Sequence, residues 1–124
     1  MYDAPIMDRK HVAMVLLIAA LAFVFLVFGA WKFVAPILWI GWIPPWMEGF
    51  LGLSRETWLS IIGALEVVFA ILLLVPLRRV RRIGCVLVMA HLVAVLTQTG
   101  WNDVFVRDAG LLVASLALFV LLRA

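Results

Sequence analysis

Residues 58–77 read WLSIIGALEVVFAILLLVPL and hold one ionisable side chain, Glu66, near the middle. About twenty apolar residues rising about 1.5 Å each span a hydrocarbon core of about 30 Å. A carboxylate at that depth costs several kcal/mol unless it is neutral, paired or hydrated. The rest of the chain is therefore read outward from Glu66.

The sequence repeats this pattern. Of its 124 residues 68% are apolar, against roughly half in soluble domains. The apolar residues fall into four blocks, and so short a chain allows one domain, residues 1–124. Lipid tolerates only helices or closed barrels. Barrel strands alternate polar and apolar residues, whereas these blocks are continuously apolar. The expected fold is all-α, an antiparallel bundle of four transmembrane helices at about 12–34, 57–77, 83–99 and 104–122.

Before the first span lies a polar leader, residues 1–10, ending Asp8-Arg9-Lys10. The apolar run that follows exceeds the h-region of a signal peptide, so it reads as a retained span. Pro36 should bend or end this helix near Lys32, whose carbonyl it cannot bond. Residues 37–55, with Trp39, Trp42 and Trp46 around Pro44-Pro45, are too apolar for a solvated loop and should lie along the membrane surface. Ser54 is the expected N-cap of the second span, with Glu56 in its first turn. Pro76 marks that span's end, and Arg78-Arg79-Val80-Arg81-Arg82 reads as a tight basic hairpin.

Charge sets the orientation. Seven of the ten Lys and Arg residues lie in the leader, the hairpin and the C-terminus. By the positive-inside rule both termini are cytoplasmic. All six tryptophans (Trp31, Trp39, Trp42, Trp46, Trp58 and Trp101) fall at the opposite end, and indole favours the interface. The basic residues thus read as topology signals rather than a nucleic-acid surface, and anionic lipid headgroups are their other plausible contact. One cysteine, Cys85, excludes an intramolecular disulfide and a CxxC pair, and His11 and His91 lie too far apart to suggest a metal site. No metal, haem or self-sufficient catalytic site is visible.

Four polar residues in the spans are candidates for ligand binding or proton handling: Lys32, Glu66, His91 and Asp108. Gly84, His91 and Gln98 recur every seven residues and share a face. Ser60, Gly63, Ala64 and Ala70 surround Glu66 on a small-residue face that should look inward. Counted from the basic ends, Glu66 lies about 18 Å deep and His91 about 14 Å, while Asp108 lies about 22 Å and Lys32 about 30 Å away. A cluster of Lys32, Glu66 and Asp108 with His91 at its inner edge is expected. All but Glu66 have a plainer reading. Lys32 can snorkel to the interface, His91 can bond a helix carbonyl, and Asp108 can cap the fourth helix. Cys85 reads as a structural thiol.

Gly29-Ala30-Trp31-Lys32, Gly63-Ala64-Leu65-Glu66, the basic hairpin after Pro76 and Arg107-Asp108 together resemble the DoxX-like family of small four-helix membrane proteins. The resemblance covers most of the chain. It implies an accessory subunit of a membrane redox or respiratory complex in a bacterial-type inner membrane, with Lys32 and Glu66 as interior site residues. A quinone or lipid-like ligand would need an apolar slot with polar groups for its oxygens; Lys32, Glu66, His91 and Asp108 could supply those groups and Trp31, Phe25 or Phe28 could line the slot. Expected partners are membrane lipid and other membrane subunits or a second copy. A proton-coupled small transporter and a purely structural or assembly subunit are the alternatives.

Overall fold

The computed structural model describes residues 5–123, with side chains from Arg9 onward. The first four residues of the expected leader lie outside the described residues. The remainder belongs to the first helix.

The described residues form four long α-helices and no strand: α1 (Pro5–Val34), α2 (Arg55–Leu74), α3 (Arg78–Thr99) and α4 (Asp103–Arg123). Each is long and apolar enough to cross a membrane. Only 17–33% of each apolar stretch is buried inside the bundle, and Leu16, Phe23, Val113 and Val120 point outward. A water-soluble bundle would turn a polar face outward instead. The chain therefore has the make-up of an integral membrane protein.

Local chemistry sets each boundary. The Ala35 N–H still reaches Trp31 O at 2.9 Å, but Pro36 has no N–H to give Lys32 O, so α1 stops at Val34. Ser54 caps α2, its Oγ accepting from the Thr57 N–H at 3.2 Å. At the other end Val75, forced extended by Pro76, breaks α2 after Leu74. The expected basic hairpin is tighter than the sequence suggests: Arg78 to Arg82 form the first turn of α3. Arg81 folds back there and donates from Nε to Leu73 O at 2.8 Å. A guanidinium thus covers a carbonyl at the negative end of the α2 dipole. The Asn102 side chain caps α4, accepting from the Phe105 N–H at 2.9 Å. Asp108 lies more than a turn further on and has no capping role.

The helices follow one another around the bundle, each antiparallel to the last, and α4 returns against α1. The main core joins Leu21 and Phe25 of α1, Phe69 and Leu73 of α2, Cys85 and Val88 of α3, and Leu118 and Leu122 of α4. On α2 the inward face is Leu59, Gly63, Glu66, Phe69, Ala70 and Leu73. Ser60 and Ala64 point outward, so the small-residue face is narrower than expected. Ser115 is fully buried and donates to Leu111 O at 2.6 Å, one turn back on its own helix.

Residues 35–54 cross the tryptophan-rich end as four short 3-10 turns, Pro36–Leu38, Ile40–Trp42, Pro45–Met47 and Phe50–Gly52. Hydrogen bonds from Arg55 and to Gln98 help to hold this roof down. The Arg55 guanidinium donates to Ile40 O at 3.0 Å and Ile43 O at 2.8 Å. The Trp46 Nε1 donates to Gln98 Oε1 at 3.0 Å.

Candidate functional site

The site begins at the crossing of α1 and α2. A Cβ added to Gly29 would sit 2.6 Å from Gly63 O, and one added to Gly63 would sit 2.9 Å from Gly29 O. Only glycine on both helices permits this approach. Lys32 and Glu66 each lie three residues beyond one of these glycines, so in antiparallel helices they start about 9 Å apart along the axis. Their side chains, which lean back toward their helix N-termini, meet near the level of the glycines. The space a Gly63 side chain would take borders the Lys32 stem, whose Cβ lies 3.2 Å from that position.

Lys32 Nζ lies 2.5 Å from Glu66 Oε1, and both side chains are more than nine-tenths buried. The approach is close but oblique, so this oxygen gains no well-directed hydrogen bond. The contact is an ion pair whose partners are held in place from other sides. The ammonium reaches Phe28 O at 3.5 Å and lies 4.2 Å from the centroid of the Trp39 ring. The second carboxylate oxygen faces His91 Nε2 at 3.5 Å. The imidazole is packed edge-on against Phe25 and Phe69, at centroid distances of 6.1 and 5.5 Å.

Asp108 is buried and lines the same space, but its ion pair is with the adjacent Arg107, at 3.0 Å from Nε to Oδ1. Arg107 also lies 4.7 Å from the Phe28 ring centroid, spanning the seam between α4 and α1. The four residues singled out from sequence therefore share one cavity but form two units, Lys32–Glu66–His91 and Asp108–Arg107.

The cavity has a volume of about 740 Å³. Phe25, Phe28 and Trp31 of α1 line it, together with Trp39, Trp42 and Trp46 of the roof. An apolar, aromatic chamber with a few convergent polar groups is the usual form of a small-molecule site. Among the described residues no cluster of three or more His, Cys, Asp or Glu could hold a metal ion.

Residues 21–100 match a family described as a domain of unknown function (DUF8561). The chain belongs to that family. The DUF8561 match takes in Lys32, Glu66, His91 and the whole roof, and ends before Asp108 and α4. The Lys32–Glu66–His91 unit thus lies within the family's own segment, and the Asp108–Arg107 unit lies beyond it. No curated protein and no solved structure matches the chain.

Three contributors to the site escape a sequence reading of this DUF8561 chain. Trp39 reads as an interface anchor, yet its ring stacks on the buried ammonium. Arg107 reads as a boundary charge, yet it pairs with Asp108. Gln98 fastens the roof through Trp46. Its seven-residue spacing from His91 placed it on the correct face, but nothing in that spacing names a partner over fifty positions away.

Proposed function

We propose that this chain is a DoxX-like accessory subunit of a membrane redox or respiratory complex. In this reading it lies in a bacterial-type inner membrane with both ends in the cytoplasm and holds a quinone or other lipid-like molecule at its tryptophan-rich end. The observation that carries the reading is the aromatic cavity with an ammonium, a carboxylate and an imidazole buried on one wall. A quinone headgroup needs an apolar slot and polar groups for its two carbonyl oxygens, and both are present. The Glu66 carboxylate beside the His91 imidazole is a pair suited to exchanging a proton. Electrons would come from a partner subunit. The resemblance of the Gly29–Lys32 and Gly63–Glu66 segments to the DoxX-like family supplies the redox context.

The ligand part is tested by purification in mild detergent, with chromatographic identification of quinones and lipids extracted from the protein. The wild type should carry a quinone above its ratio in the bulk membrane, and Lys32→Met/Glu66→Gln should lose that excess. A wild type with no enrichment would remove the ligand site. The orientation is tested with reporter fusions. Fusions after Arg79 and Arg123 are expected to report cytoplasm and one near Gly49 the outside. An outside signal at Arg79 would overturn the arrangement.

A further inference from the structure

The polar wall of the cavity carries a constraint on what it can hold. Its ionisable groups, besides His91, are Lys32 and Arg107 against Glu66 and Asp108. Each cation is already matched with an anion, at 2.5 Å and 3.0 Å. A ligand bringing a net charge into this apolar chamber would find no unmatched counter-charge. It would either remain uncompensated, at a cost of several kcal/mol, or break an existing pair. Phosphate, carboxylate and quaternary ammonium headgroups are all disfavoured on this ground.

Hydrogen-bonding capacity narrows the class further. The Trp39 Nε1 is buried and has no partner, and indole can only donate. A buried donor left unsatisfied costs about 1–3 kcal/mol. Lys32 Nζ lies against the same indole ring and holds one long hydrogen bond, to Phe28 O at 3.5 Å. An ammonium has three donors and no acceptor. Thr99 Oγ1 is likewise buried without a partner, but a hydroxyl serves in either sense. Glu66 Oε1, an acceptor, faces the ammonium but is itself buried without a hydrogen bond, and Asp108 Oδ1 accepts from Arg107. The wall thus offers both donors and acceptors to a ligand but no unmatched charge.

We infer that the cavity selects an uncharged headgroup bearing hydrogen-bond acceptors, with the Trp39 indole N–H and the Lys32 ammonium as its donors. This rests on the cavity being a ligand site, and it chooses within the quinone or lipid-like class. A ring carrying two carbonyl oxygens fits. The same ring carrying two hydroxyls fits as well, since a hydroxyl both donates and accepts, whereas charged lipid headgroups are excluded.

The test uses the full chain in nanodiscs of phosphatidylcholine. Quenching of tryptophan fluorescence by oxidised decylubiquinone reports binding. Reversal of the quenching reports displacement by decylubiquinol or by decanoate. Saturable quenching is expected; decylubiquinol should reverse it at a comparable concentration, whereas the charged decanoate should need at least about tenfold more. Trp39→Phe keeps an aromatic ring but lacks the N–H, and should weaken oxidised decylubiquinone by about the same factor. Decanoate competing as well as the quinone would overturn the inference and leave a ligand site standing. A full-strength Trp39→Phe would overturn the role of the indole. No saturable quenching at all would overturn both this inference and the ligand site it rests on. The wild-type competition decides the matter even if the variant folds poorly.

Discussion

Gly29→Ala is expected to destabilise the bundle by about 1–3 kcal/mol, the range for one methyl group forced into a filled site. The upper part of that range applies because the added Cβ would meet backbone. It would lie 2.6 Å from Gly63 O and 3.0 Å from Val67 N, and backbone on a neighbouring helix has no rotamer in which to retreat. The two helices must separate, and with them Lys32 and Glu66. Gly110→Ala is the control. It lies within α4, and an added Cβ has nothing within 4 Å. Alanine favours a helix over glycine by up to about 1 kcal/mol, so this variant should be neutral or slightly stabilised. Thermal unfolding in detergent separates the two. Equal behaviour would mean that α1 and α2 do not meet through their glycines.

Glu66→Gln is expected to cost about 3–5 kcal/mol, because it strands a buried ammonium. The lower part of the range is appropriate, since Phe28 O and the Trp39 ring still face Lys32, and a desolvated cation–π contact retains about 2 kcal/mol. Adding Lys32→Met removes the stranded charge and should recover part of the loss. The double variant will therefore be more stable than the two single effects predict. Unfolding of both single variants and the double measures this coupling, and strict additivity would exclude direct pairing. Activity of the parent complex gives a separate answer. If Glu66→Gln folds and activity is unchanged, the carboxylate is structural and the redox reading loses its main residue.

The helices were legible because their signals are one-dimensional. Block length gives four apolar helices, Ser54 announces a cap, and Pro36 and Pro76 announce ends. The meeting of Lys32 and Glu66 was legible for a thermodynamic reason: a carboxylate at such depth needs a partner, and few groups were available. What a rise per residue does not give is azimuth. Depth placed Asp108 nearer Lys32 than Glu66 is, yet the side chain turns to Arg107 beside it. Small side chains around Glu66 suggested a broad inward face, but Ser60 and Ala64 face outward, since small residues carry no obligation to be buried. The basic run after Pro76 looked like loop because charge ends apolar blocks. Helix α3 begins inside it instead, and Arg81 shares in closing α2.

The paired spacing of glycine and charge bears on how such a chain can vary by descent. Gly63 leaves the room that the Lys32 stem borders, Gly29 lets the second helix come near, and each charge answers the other. A lineage that loses the carboxylate inherits a lysine with nothing to face, and one that loses a glycine inherits a pair drawn apart. Single steps away from this arrangement are all losses. These four positions should therefore respond to mutation as one unit, while the outward apolar positions around them should accept exchange among residues that lipid accepts.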